Sequence, residues 1–268
     1  MSAPALVDAY DLVILDLDGV VIEGESAVAG APEALGRLRA AGVPVAFATN
    51  NASRRPAEVA ALLTGIGVGA SAPEVETSAR AAAQRLGAEL PAGAAVLIVG
   101  SDGLRAEVAE AGLRPVDRAA DGPVAVVQGY APTVGWAQLA EACVAVRGGA
   151  RWVATNADRT LPSERGPLPG NGSLVAALAT ALDRQPDLVI GKPAPELFAA
   201  AARRVGAVRP LVVGDRLDTD IAGAVRAGMD SLLVLTGVSS RAEAAAAAAP
   251  QRPTFVAADL GGLFLPPT

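Results

Sequence analysis

Leu12-Val13-Ile14-Leu15-Asp16-Leu17-Asp18-Gly19 is the stretch that decides the fold: an uninterrupted apolar run that stops on two carboxylates. A continuous aliphatic run reads as a strand buried on both faces, as in a parallel sheet. The residues after such a strand lie at the carboxyl edge of the sheet, where open α/β folds bind ligands. Asp16 and Asp18 would share a face if the strand continued. Gly19 instead marks a turn, in which the backbone can wrap around a small anion or a metal. Two carboxylates this close are costly unless a cation or a proton is shared between them. By itself the segment reads equally well as a solvated strand-to-loop turn.

Outward from this stretch the chain alternates short β-type runs with helical segments, as in a wound α/β protein. Further strands are expected at Val43–Ala48, Ala95–Val99, Val124–Val127, Arg151–Ala154, Leu211–Val213 and Ser231–Leu235. Helices are expected between them, among them Pro32–Ala41, Trp136–Val146, Ser173–Leu182, Pro195–Val205 and Thr219–Ala227. Functional-looking polar residues gather toward both ends of the chain. The middle, 71–187, reads as a self-contained α/β insert between the hinges Ser71-Ala72-Pro73 and Gln185-Pro186-Asp187, which leaves 1–70 and 188–268 to form the first domain.

Composition narrows the chemistry. The 268 residues suffice for one large domain or two smaller ones. There is no histidine, which removes Ser-His-Asp hydrolysis and every His-ligated metal site. Cys143 is the single cysteine, so no disulfide framework forms within the chain. Arg147 follows it too soon for the Cys-x5-Arg cradle of cysteine phosphatases, and a small core residue on a helix is expected there. Any metal chemistry is therefore carboxylate chemistry, which suits Mg²⁺. A net charge of −6 argues against a nucleic-acid partner. No apolar run is long enough to span a bilayer, and Met1 to Tyr10 lacks a leader's basic residues, so a cytoplasmic protein is expected. The alanine-rich tract from Arg241 to Pro250 reads as a surface helix or loop.

Three more strand ends carry polar groups. Thr49-Asn50-Asn51 follows the second strand and, alone, reads as a cap before the helix near Pro56. Gly191-Lys192-Pro193 follows Leu188-Val189-Ile190 and restrains a lysine between a glycine and a proline. Gly214-Asp215-Arg216-Leu217-Asp218-Thr219-Asp220 repeats the plan of strand then carboxylate, with Asp218 or Thr219 as an alternative helix cap.

Taken in this order, DLDGVV, FATNNAS, GKPAPELF and GDRLDTDIAGA resemble the motifs of the haloacid dehalogenase-type phosphatase superfamily, in its branch with a large inserted cap. The resemblance continues through RWVATNADRTLPSERGPLPGNGSLVAAL and so covers nearly the whole chain. It implies a Rossmann-like parallel-sheet core domain with an inserted α/β cap domain. It also implies a Mg²⁺-dependent phosphatase acting on a small phosphomonoester. Asp16 is the implied nucleophile and Asp18 the implied acid and base. Asp16, Asp18 through its carbonyl, and Asp215 would hold the metal. Thr49, Asn50, Asn51 and Lys192 would bind the phosphate, and Asp220 would orient Lys192 or the metal's waters.

The acid two residues after the nucleophile favours ester hydrolysis, because an alkoxide needs a proton to leave whereas a halide does not. Substrate choice falls to the cap, where Asn156, Asp158, Arg159 and Thr160 are the expected contacts. Trp136 and Trp152 look like core residues, which leaves little for stacking on a base or a pyridoxal ring. That ring's hydrolases carry a histidine in the loop matching Asn156–Pro162, and none exists here. Similarity in the cap segment and in GDRLDTDI points to glycerol 3-phosphate, with nucleoside monophosphates and 2-phosphoglycolate as alternatives. A receiver-type signalling domain and an inactive metabolite sensor are the rival classes. Gly170-Asn171-Gly172-Ser173 reads as a helix cap. The expected partner is a small phosphate ester, without nucleic acid or membrane, and a homo-oligomer is left open.

Overall fold

The computed structural model describes residues 4–161 and 165–267. The start of the segment read for a leader, 1–3, and Pro162 at the end of the loop from Asn156 lie outside the described residues, as does 268.

Two compact units are present. The first contains the described residues up to Thr49, then Pro56–Glu76 and the chain from Lys192 onward. The second contains Asn50–Arg55 and Thr77–Gly191. The short piece directly after Thr49 thus belongs with the second unit, a partition that a single break near residue 70 does not describe.

The first unit is built on a six-stranded sheet in the order Phe255–Ala257, Asp230–Val234, Pro210–Gly214, Leu12–Asp16, Val45–Thr49, Val75–Thr77. Leu12–Asp16 pairs in parallel with Pro210–Gly214 on one side and with Val45–Thr49 on the other. Every residue of Leu12–Asp16 and Val45–Thr49 is buried, which is why both read as unbroken apolar runs. One face of the sheet, carrying Val13, Leu15, Phe47 and Val213, packs on Leu35, Leu38 and Leu63 from the helices Ala31–Ala40 and Pro56–Gly65. Register then aligns the strand ends. Leu15 lies opposite Val213 and Asp16 opposite Ala48, so Asp16, Thr49 and Asp215 leave the sheet at one carboxyl edge.

The second unit repeats the plan with five parallel strands: Leu188–Val189, Arg151–Ala154, Ala125–Gln128, Ala95–Val99, Arg114–Val116. Trp152, fully buried, sits between this sheet and the helices Trp136–Arg147 and Asn171–Leu182, where the half-buried Cys143 also packs. Trp136 corrects its expectation: it is 83% exposed. It opens its helix, whose first buried residue is Ala142, with Leu139 half-buried a turn before it. The alanine-rich tract forms a short helix, Arg241–Ala246, before a 3-10 turn. Among the described residues no helix is long and apolar enough to cross a membrane.

Candidate active site

The first unit's carboxyl edge gathers acids around one lysine. Asp16 and Lys192 are both buried, with the ammonium Nζ 2.5 Å from Asp16 Oδ1 and 2.7 Å from Asp220 Oδ1. Asp220 is fully buried, and its second oxygen accepts the main-chain N–H of Arg216 at 3.1 Å. It owes its inward aim to local structure. Leu217–Ile221 forms a π-helical turn ahead of the helix Ala222–Ala227, in which the N–H of Ile221 donates to the carbonyl of Arg216. Such turns reorient side chains that a regular helix would point elsewhere. The expected helix from Thr219 therefore begins later, and Asp218 is not its cap but the partner of Arg216 through two hydrogen bonds.

Asp215 follows the strand Pro210–Gly214 and is almost wholly buried. Its Oδ2 accepts the N–H of Val238 at 2.7 Å, while its Oδ1 is buried with no hydrogen-bond partner among the described residues. Ligand oxygens of Asp16, Asp215 and Asp220 all lie within 4.8 Å of one another. Burial, together with the charge of Asp220, pushes the Asp16 carboxyl up to about 8. Burial likewise pushes Asp215 up to about 6. Burial works against the charge of Lys192, yet Asp16 and Asp220 hold its ammonium above the ordinary lysine value. Three buried carboxylates against one ammonium, with one carboxylate oxygen unpartnered, form a donor set suited to a hard divalent cation. The acids fit a magnesium ion.

Asp18 is exposed, and the turn around it is tight: the N–H groups of Val21 and Ile22 donate to the carbonyl of Leu17. Gly19 has φ +79°, and a Cβ there would come within 2.6 Å of Asp215 Oδ2, so glycine is required on both counts. Thr49 is buried at the end of its strand.

The sequence reading missed the loop after the strand Asp230–Val234. Thr236 Oγ1 donates to the carbonyl of Gly19 at 2.6 Å, Val238 donates to Asp215, and a Cβ on Gly237 would overlap the Asp215 carboxylate. The available signal was positional: this is another strand of the same parallel sheet, and its end carries the polar run Thr236-Gly237-Val238-Ser239.

The second unit brings together a different set. The carbonyl of Asn50 accepts from Ser78 Oγ at 2.6 Å and from Asn156 Nδ2 at 2.8 Å. The side-chain amide of Asn50 donates to both oxygens of Asp158, at 3.2 and 3.1 Å. Asn51 turns to its own neighbourhood, its oxygen accepting from the N–H and hydroxyl of Ser53. The side chains of Arg159 and Thr160 are exposed, beside a two-stranded ribbon of Thr160–Leu161 and Leu168–Pro169. Sequence reading also missed Ser78 and Asn171. Gly170, not a side chain, occupies the cap position of the helix Asn171–Leu182. Asn171 points inward, donating to the carbonyls of Asn156 at 2.8 Å and Gln128 at 3.3 Å, and Gly172 leaves no room for a Cβ beside Ala157.

Comparison with known proteins places this geometry. A haloacid dehalogenase-like hydrolase family model matches residues 13–114, and a second model of the same hydrolase type matches 189–263. The D-glycerol 3-phosphate phosphatase of Mycobacterium tuberculosis is 51% identical over 259 residues, covering 97% of this chain and 72% of that protein. The 5'-nucleotidase YutF of Bacillus subtilis is 39% identical over 234 residues, covering 87% and 90%. A crystal structure of the Mycobacterium tuberculosis glycerol phosphate phosphatase in complex with magnesium superposes with a TM-score of 0.94 at 50% identity, covering 98% of this chain and 79% of that one.

Proposed function

The chain belongs to the haloacid dehalogenase-like hydrolases, and from that premise we propose that it is a magnesium-dependent phosphatase releasing glycerol and phosphate from glycerol 3-phosphate. One observation carries the chemistry: three buried carboxylates gathered beyond one sheet edge with Lys192 against two of them, and an Asp215 oxygen unpartnered among the described residues. The substrate rests on the 51% identity to an enzyme of that activity.

Asp16, Asp215 and the main-chain carbonyl of Asp18 would hold the magnesium ion. When bound, the ion supplies positive charge against the carboxylates and the phosphate. Lys192 adds a fixed positive charge beside Asp16, which together with the charge of the metal would offset its burial and favour the carboxylate form as an anionic ester approaches. Asp220 holds that ammonium in place. Thr49, Asn50 and Asn51 are the proposed phosphate-holding stretch. An oxygen of Asp16 attacks phosphorus, the ester P–O bond breaks, and the carboxyl of Asp18 protonates the departing alkoxide to give glycerol. Asp18, now a carboxylate, takes a proton from water as that water attacks phosphorus. The bond to Asp16 breaks and inorganic phosphate is released. With no histidine in the chain, a carboxylate must carry this proton both ways.

The second unit is proposed as the cap, with Arg159 and Thr160 as contacts for the alcohol end of the substrate. Of the tryptophans in this unit Trp152 is fully buried but Trp136 is exposed, so the aromatics do not decide against a nucleobase, and the 39% identity to a 5'-nucleotidase keeps nucleoside monophosphates as the second reading. A cytoplasmic setting is part of the proposal, since there the lone Cys143 stays a thiol.

The test is release of phosphate with Mg²⁺ from glycerol 3-phosphate, a nucleoside monophosphate and 2-phosphoglycolate, compared as kcat/KM. Glycerol 3-phosphate is expected to lead, and Asp16→Asn to abolish turnover of all three. Turnover that survives Asp16→Asn would overturn the mechanism, and a different leading substrate would overturn the assignment of glycerol 3-phosphate.

A further inference from the structure

The second unit contains three buried donors, Asn171, Asn156 and Ser78, that the reaction above leaves without a task. Asn171 Nδ2 donates to the carbonyl of Asn156, Asn156 Nδ2 donates to the carbonyl of Asn50, and Ser78 Oγ donates to that same carbonyl. Asn156 Oδ1 accepts the N–H of Asp158, whose carboxylate accepts the side-chain amide of Asn50. Asn50 is thus held by its main chain and its side chain together.

We propose that Asn156 is a positioning residue for the phosphate site. With Ser78 it fixes the Asn50–Asn51 peptide directly after Thr49, and it does not read the alcohol end of the substrate. This rests on the phosphate-holding role proposed above for the stretch Thr49 to Asn51. A trans peptide is planar, so anchoring the Asn50 carbonyl from two donors sets the direction of the Asn51 N–H, which points the opposite way. Backbone donors count for most when they are aimed before the substrate arrives, because no reorganisation is then needed.

The packing leaves this clamp no slack. Asn156 is 5% exposed and Ser78 fully buried. A Cβ on Gly191 would come within 2.6 Å of Asn50 Oδ1, 2.8 Å of the Thr155 carbonyl and 2.9 Å of Asn156 Cβ. Glycine at 191 therefore lets the Asn50 and Asn156 side chains close on each other. Gly172, which has no room beside Ala157, lets the helix of Asn171 approach in the same way.

The experiment compares the full chain with Asn156→Ala, Ser78→Ala and the double variant in Mg²⁺, on glycerol 3-phosphate and on 4-nitrophenyl phosphate. The two substrates share a phosphoryl group and differ in everything else. A positioning role predicts a loss in kcat/KM of about 10- to 100-fold, equal on both substrates. Orthovanadate binding, measured by calorimetry, should weaken by a similar factor. The double variant should lose little more than the worse single one, because both donors act through one carbonyl. A loss confined to glycerol 3-phosphate would make Asn156 a substrate contact and overturn the proposal, as would unchanged kinetics on both. Asn156→Asp, which keeps the volume but removes the donor, is measured alongside with its Tm and decides the matter if the alanine variant does not fold. If the parent chain ignores glycerol 3-phosphate, the substrate assignment fails, whereas 4-nitrophenyl phosphate and vanadate still judge the clamp.

Discussion

Lys192 sits almost wholly buried between Asp16 and Asp220, and that arrangement separates the roles of residues of the same type. Asp16 and Asp220 are buried against the ammonium, whereas Asp18 is exposed, as the acid role proposed for it requires. Asp18→Asn is therefore expected to lower kcat by several orders of magnitude on alkyl phosphates and much less on 4-nitrophenyl phosphate, whose leaving group departs without a proton. Equal losses in a side-by-side kinetic comparison would contradict the acid role. Asp11 shows a carboxylate doing structural work instead. Its oxygens accept the N–H groups of Val208 at 2.7 Å and Arg209 at 2.9 Å, and the Val208 bond leads in holding its carboxyl below the usual aspartate range. A lowered carboxyl stabilises the fold above its unfolded pKa, and that stabilisation is lost as pH falls through the folded value. Asp11→Asn should accordingly lower Tm at pH 7, with the gap to the parent closing as pH drops through and below about 4 in a thermal-melt series. A gap that stays constant would mean that charge at Asp11 is irrelevant.

At the scale of elements, strand ends and helices respond oppositely to the same change. Gly214 ends its strand directly under Asp220, and a Cβ there would overlap the Asp220 side chain. Gly214→Ala must displace Asp220 and with it the ammonium of Lys192, so loss of activity or of the fold is expected. Gly36 lies exposed inside the helix Ala31–Ala40 with nothing within 4 Å of a built Cβ. Gly36→Ala should stabilise by about 0.5–1 kcal/mol, a rise of roughly 1–4 °C in Tm, without change in kcat. A fall in Tm at Gly36, or a fully active Gly214→Ala, would show that the packing around these backbones is looser than described. The strands also explain which parts of the sheets were legible. Val75–Thr77, Phe255–Ala257 and Arg114–Val116 were not anticipated as strands, and Leu188–Val189 was expected only as the short apolar run before Lys192; these are the four edge strands of the two main sheets. A central strand is covered on both faces and declares itself as an apolar run; an edge strand of two or three residues carries too little pattern.

For the molecule as a whole, the excess of buried negative charge lies in one unit. Asp16, Asp215 and Asp220 all belong to the first unit, and Lys192 offsets only part of their charge. Magnesium binding to the folded state should raise Tm, by about 2.7 kcal/mol of stabilisation at a hundredfold excess over its Kd, and Asp215→Asn should remove most of that shift. Protection in hydrogen exchange should increase around 12–22 and 210–221 and leave the sheet of the second unit unchanged. Replacing Mg²⁺ by Ca²⁺ should inhibit turnover, because the larger ion takes more oxygen ligands at longer distances than magnesium does. A Tm indifferent to Mg²⁺ and to chelator would contradict the metal site.

The chain's own order was enough to determine the parallel α/β class, the strand ends bearing Asp16, Thr49, Lys192 and Asp215, and carboxylate in place of histidine chemistry. Each of these follows from neighbours along the chain: an apolar run specifies a buried strand, and the residue after it must emerge at the sheet's carboxyl edge. Only the tertiary structure decided that Asn50–Arg55 packs with the second unit and that Thr236–Ser239 walls in Asp215. It also decided that Asn171 turns inward and that Trp136 stands in solvent. Those outcomes depend on hydrogen bonds and close approaches between residues tens to hundreds of positions apart, which no local periodicity encodes.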